Sequence, residues 1–170
     1  MGNITLDIAR DHFSELNKDN KSPTEISINL HNIGLNVTIN VAFTFEEISK
    51  HIKALKNNKS PGIDNILNEF IKHCPDELIS VIVKFFNVIL DSGIIPSDWT
   101  IGIIKPLYKN KGDINDINNY RGITLLSCLG KLFTSLINTR LYAYLTNENI
   151  LGNEQVGFRA KHSTLDHILT

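Results

Sequence analysis

Four cations stand close together in the second half of the chain: Lys105, Lys109, Lys111 and Arg121. Between residues 105 and 121 only Asp113 and Asp116 oppose them, so this stretch carries +2 whereas the whole chain carries -1. An arginine offers a planar fork to a phosphate and a lysine offers a point charge. With Gly112 allowing close approach, these residue types suit the grasp of a polyphosphate. The same composition also describes a solvated polar turn, and on residue types alone both readings stand.

Two further constellations have chemistry in principle. His162, Ser163, Asp166 and His167 supply the side chains of a nucleophilic triad, but triads assemble from separated segments and these crowd into one. His73, Cys74, His162 and His167 include zinc-ligating types without the paired spacing of a zinc site, so exposed or satisfied histidines are the simpler reading. Cys74 and Cys128 lack metal or redox spacing and read as reduced core residues of an intracellular protein, cytoplasmic or nuclear.

The elements that must position these residues belong to one domain. At 170 residues, 42% hydrophobic and 21% charged, the chain suits a soluble domain with a substantial core. Collagen, low-complexity disorder and a disulfide-stapled miniprotein are excluded. A net charge of -1 argues against binding nucleic acid through bulk positive charge, yet leaves room for a local basic site. Residues 1–50 hold four basic and seven acidic side chains, and residues 51–112 hold eight and six. The N-terminus lacks the basic-then-apolar plan of a signal peptide, and no apolar run approaches the ~20 residues of a membrane span. Leu6 stands where a myristoylation signal after Gly2 expects Ser or Thr.

Residues 1–42 read as a polar leader, with a linker-like stretch at 18–23. Thr44 and Glu47 have the spacing of a capping box, with Phe43 and Ile48 placed as a hydrophobic staple, and the helix they open is expected to stop at Asn57-Asn58. Lys59-Ser60-Pro61-Gly62 is a turn by chemistry. Asp64 is expected to cap a second helix with Ile66, Leu67, Phe70, Ile71 and Cys74 on one face. Pro75 opens a third at its first-turn position, with Leu78, Ile79, Ile82, Phe85, Phe86, Ile89 and Leu90 as its stripe and Gly93 as its end. Two β-branched runs, 101–108 and 120–126, then flank the polar turn 109–119 as an antiparallel ribbon. Ser127 caps a last long helix with Leu129, Leu132, Phe133, Leu136, Ile137, Leu141 and Tyr144 on its apolar face, and Thr164 is placed to begin another. The order is that of an α+β fold.

Five strings add a resemblance. Lys59-Ser60-Pro61-Gly62-Ile63-Asp64-Asn65-Ile66; Ile95-Pro96 with Trp99; Pro106-Leu107-Tyr108-Lys109-Asn110-Lys111-Gly112-Asp113; Asn119-Tyr120-Arg121-Gly122-Ile123-Thr124-Leu125-Leu126; and Glu154-Gln155-Val156-Gly157-Phe158-Arg159 with Ser163-Thr164 match, in order, the N-terminal motifs of a known family. The chain resembles the reverse transcriptases of non-LTR retrotransposons, the long interspersed elements of animals, over roughly residues 43–170. Gly122 departs from the Pro of many reverse transcriptases, although animal elements often carry Gly there. His162 stands where many relatives carry Arg, and an imidazole of pKa about 6.5 would make a weaker phosphate contact at neutral pH.

The resemblance implies the helix-rich fingers of a right-hand polymerase with an antiparallel hairpin, the chain ending before the catalytic palm. It implies that Lys109 and Arg121, with Lys111 as a lesser candidate, close on the triphosphate of the incoming deoxynucleotide. It places Lys59, Ser60, Pro61 and Gly62 along the RNA template, and Gln155, Gly157, Phe158 and Arg159 near template and nucleotide. RNA template, DNA primer and deoxynucleoside triphosphate are the partners it implies, and Mg²⁺ the cofactor of the full-length polymerase. The carboxylates that hold those ions in the family, an aromatic-x-Asp-Asp turn among them, are expected outside this chain, which has no Asp-Asp pair. The separate endonuclease, palm and thumb are expected outside it too. The alternative is an RNA-binding remnant without catalysis.

Overall fold

The structure is a computed structural model that describes residues 4–18 and 40–150. Six α-helices, a short 3-10 turn (Ile117–Asn119) between the strands, and a two-stranded antiparallel sheet form in the described residues, in the order α1 (Leu6–Leu16), α2 (Phe45–Lys53), α3 (Asn68–Lys72), α4 (Asp76–Ser92), α5 (Ser97–Thr100), β1 (Ile103–Tyr108), β2 (Tyr120–Leu125) and α6 (Cys128–Asn147). The mixed content is that of an α+β fold.

Thr44 caps α2 as its chemistry demands, its hydroxyl accepting from the Glu47 N–H at 3.2 Å. The reciprocal half of the capping box is not used, because the Glu47 carboxylate is taken by Arg140 of α6. The helix stops at Lys53, short of the expected Asn57-Asn58, because residues 55–58 are pulled onto α3 instead. Asn68 Nδ2 donates to the Lys56 carbonyl at 2.8 Å, and Lys72 Nζ donates to that of Leu55 at 3.0 Å.

Helix α3 is a single short stretch capped by Leu67 rather than Asp64, and Phe70, expected on its apolar face, is exposed. Asp64 is bound elsewhere. Pro75 stands at the N-cap of α4, one position before the expected first turn, and Gly93 ends the helix in the left-handed region at φ 68°. Ile79, Ile82, Phe86 and Ile89 are buried, whereas Leu78 and Phe85 lie at the exposed margin of the stripe.

The core joins these residues to Ile48 and Ile52 of α2 and to Cys128, Leu132, Phe133 and Leu136 of α6. Its centre is aromatic: Phe86 meets Phe133 edge-on at 5.3 Å, and Trp99 of α5 meets both, at 6.1 and 5.7 Å. Complete burial of a side chain such as Phe86 contributes roughly 1.5–3 kcal/mol over exposure. Ser127 caps α6 through its hydroxyl, which accepts from the Gly130 N–H at 3.2 Å. Beyond Ile137 the apolar face of α6 fades, and Leu141 is exposed.

The polar leader holds an unexpected helix. In α1 Thr5 caps the first turn, and Ala9 and Phe13 are buried. Phe13 reaches the hairpin beside Ile104 and Gly122, so closely that a Cβ on Gly122 would stand 2.9 Å from its ring.

Candidate functional site

The hairpin register decides which cations share a face. Leu107 stands opposite Arg121 and Lys105 opposite Ile123, so Lys105 and Arg121 are diagonal neighbours on one surface of the ribbon, about 7–8 Å apart by strand geometry. The other surface carries Ile104, Pro106, Gly122 and Thr124, and α1 lies against it. Alternation of side chains along a strand therefore turns Lys105 and Arg121 away from α1. Both are exposed.

The loop beyond the ladder is folded by its own polar side chains. Asp113 accepts from the Asn115 N–H at 2.9 Å, and Asp116 from that of Asn118 at 3.0 Å. Each is an Asx turn, the local device expected of Asp in such sequences. The rings of Tyr108 and Tyr120 meet at 5.4 Å with their planes tilted by 50°, and their hydroxyls donate to the carbonyls of Gly112 and Ile114. Lys109 extends the ladder through its N–H to Asn119 and folds its ammonium onto the Asn118 carbonyl at 2.8 Å. Lys111 is exposed near the tip.

The Lys59 to Gly62 turn stands on the far side of β2. Lys59 and Ser60 line a cleft of about 750 Å³ between the end of α2, residues Ile123 to Leu125 of β2, and α6. Lys56, Lys131 and His51 line it as well, and no carboxylate is among its described lining residues. His51 bonds Ser135 through Nδ1 at 3.1 Å, and burial pushes its imidazole below the ordinary value. On the α3 side the Asn58 N–H donates to Glu69 at 2.5 Å and holds that carboxyl below the usual range.

Gly62 is buried where the turn passes α6. A Cβ there would stand 2.4 Å from the Ser127 nitrogen, so only glycine fits the approach. Asp64 follows, accepting from the Ser127 hydroxyl at 2.6 Å and from the Ile66 N–H at 3.2 Å.

Of the residues singled out from sequence, Lys109, Lys111 and Arg121 share the ribbon and its loop, and Lys59 and Ser60 share the cleft; Pro61 and Gly62 carry the turn behind it. Gln155, Gly157, Phe158 and Arg159 lie outside the described residues, as do His162, Ser163, Asp166 and His167. Among the described residues no group of three or more His, Cys, Asp or Glu side chains could hold a metal ion. Ile123 is exposed at the rim of the cleft. Lys56, Lys131 and His51 join the cleft although no motif marks them. The spacing of Lys53, Lys56 and Lys59 signalled a basic run, but only tertiary packing brings Lys131 to it.

No profile of a known protein family matches the chain. It is 38% identical over 123 residues to the probable RNA-directed DNA polymerase from transposon BS of Drosophila melanogaster, a match covering 72% of this chain and 14% of that protein. It is 34% identical over 122 residues to the probable RNA-directed DNA polymerase from transposon X-element of the same species, covering 72% of this chain and 13% of that protein. To the RNA-directed DNA polymerase from mobile element jockey of that fly it is 32% identical over 127 residues, 75% of this chain and 14% of the relative. The chain thus spans only a small part of the length of these relatives.

Proposed function

Because the chain belongs to the reverse transcriptases of non-LTR retrotransposons, we propose that residues 43–170 contribute the fingers and the start of the palm to an RNA-directed DNA polymerase. Residues 1–42 are then the segment that leads into this domain. In this reading Arg121, Lys109 and Lys111 meet the triphosphate of the incoming deoxynucleotide, and the turn of Lys59, Ser60, Pro61 and Gly62 lies along the RNA template. Gln155, Gly157, Phe158 and Arg159 extend the template and nucleotide contacts toward the palm. A template-primer duplex is the third partner, and the work is intracellular. Among the described residues no helix is long and apolar enough to cross a membrane.

The observation that supports this reading best is the sidedness of the hairpin. Its Lys105 and Arg121 share the surface turned away from α1, and Lys56, Lys59 and Lys131 gather at the cleft beside β2. Preorganised cations aimed at a phosphate stabilise the charge that develops as pyrophosphate leaves. For a triphosphate, the Lys109 ammonium exchanges the Asn118 carbonyl for a phosphate oxygen, trading a neutral acceptor for a charged one.

Mg²⁺ supplies activation of the primer hydroxyl and neutralisation of the leaving group in two-metal polymerases. The chain contains no Asp-Asp pair to hold such ions, so in this proposal the isolated chain is expected to give no template-dependent primer extension.

Titration with a deoxynucleoside triphosphate and with a single-stranded RNA, for wild type, Lys109→Ala and Arg121→Ala, tests the reading. Each substitution is expected to weaken triphosphate binding. Unchanged binding in both variants rejects the clamp, and RNA binding without any triphosphate binding favours an RNA-binding remnant.

A further inference from the structure

The Lys59 to Gly62 turn is anchored on both sides by contacts that the template reading does not use. Before it, residues 55–58 are tied to α3: the Lys56 carbonyl accepts from Asn68, the Leu55 carbonyl from Lys72, and the Asn58 N–H reaches Glu69. After it, Asp64 accepts from the Ser127 hydroxyl at 2.6 Å, across 63 positions of sequence. Ser127 is fully buried and its own oxygen accepts from the Gly130 N–H, so it cannot swing without uncapping α6. Between the anchors, Gly62 lets the backbone of the turn touch that of Leu126 and Ser127.

We propose that Asp64 is a positioning residue for template binding: through Ser127 it seats the turn against the junction of β2 and α6, and so sets where Lys59 and Ser60 stand at the cleft. The junction is shared with the hairpin, because Leu125 ends β2 and Ser127, two residues later, caps α6. One hydrogen bond therefore sets the turn in register with the strand that carries Arg121. A free turn would have to be ordered at each binding event, and that ordering weakens association.

This proposal rests on the reading that the turn meets RNA, and the test separates the two. A labelled oligo(rU) is titrated with the full chain at about 50 mM and about 200 mM salt. Lys59→Ala is expected to weaken binding about threefold to tenfold and to lower the salt slope by about one. Asp64→Ala is expected to lose a comparable factor with its melting transition near wild type. In the Lys59→Ala background Asp64→Ala is expected to cost less than it does in wild type, because it acts through the position of a turn that has lost its lysine. Asp64→Asn keeps an oxygen for Ser127 and is expected to restore binding.

If Lys59→Ala leaves RNA binding unchanged, the template reading falls and this proposal falls with it. If Lys59→Ala weakens binding while Asp64→Ala does not, or if the two losses multiply, the positioning role alone is overturned. Should Asp64→Ala fail to fold, Asp64→Glu carries the same test, since it retains the charge and displaces the acceptor by one methylene.

Discussion

Arg140 of α6 grips both carboxylate oxygens of Glu47 of α2, donating from Nε to Oε1 at 2.8 Å and from Nη2 to Oε2 at 2.6 Å. The pair is mostly shielded from solvent, and the guanidinium also lies 4.2 Å over the ring of Phe43 and donates to the Val41 carbonyl. One side chain thus fastens the segment leading into α2 to a helix 93 positions further along the chain.

Arg140→Lys is therefore not a conservative change, because an ammonium cannot form the fork or stack on the ring. It is expected to lower stability by about 1–2 kcal/mol, and Arg140→Ala by about 2–4 kcal/mol because it leaves Glu47 shielded and unpaired. Urea unfolding of both variants, with Glu47→Gln to close a double-mutant cycle, measures this. A coupling energy near zero would show that the fork contributes nothing beyond packing.

Gly122 and Phe13 make a second checkable contact. A methyl at position 122 would stand 2.9 Å from the ring of Phe13, so Gly122→Ala is expected to push α1 off the hairpin and leave the main core intact. Amide exchange in α1 should accelerate at least as much as it does in Phe13→Ala, with α4 and α6 unchanged. Equal protection of α1 in wild type and Gly122→Ala would contradict the contact.

Stability should also fall with pH through His51. Burial holds its folded pKa below the ordinary 6.5, so the unfolded chain takes up this proton first as pH drops. Its contribution is fully present above 6.5 and is lost as pH falls toward and through the depressed folded value. His51→Gln keeps a polar partner for Ser135 and should flatten the dependence of the urea midpoint on pH between about 7.5 and 5.5. An unchanged slope would mean that other groups carry the dependence.

Local chemistry made much of this fold legible. Thr44, Ser127 and Gly93 each terminate a helix by an interaction with their nearest neighbours, and the hairpin follows from two β-branched runs around a polar turn. Local chemistry is overridden where distant partners compete. Asp64 has the chemistry of an N-cap but bonds Ser127, and Glu47 has the spacing of a capping box but pairs with Arg140. Helix α1 was obscured because only Ala9 and Phe13 are buried, a stripe too thin to stand out in a polar segment. In the candidate site, the charged residues of the ribbon were visible as a cluster. Their sidedness depends on register, which pairs Leu107 with Arg121 and cannot be read from either strand alone.

The cleft lysines follow from packing and offer the sharpest remaining test of the phosphate reading. Lys56 and Lys131 approach the same cavity as Lys59 from α2's C-terminal side and from α6, and none of the described lining residues is acidic. All three lysines are exposed and line one opening with no acidic side chain among its described lining residues, so removing two should leave stability near that of the wild type. RNA affinity should fall. Removing a lysine that neutralises one phosphate lowers the dependence of binding on salt by about one counterion, so Lys56→Ala with Lys131→Ala is expected to reduce the logarithmic salt slope by about two. Lys84→Ala on α4, which does not line the cleft, is the control for net charge alone. If Lys84→Ala reduces the slope as much per lysine as the cleft pair, the cleft is not where the phosphates sit, and the attraction is only the general field of the protein.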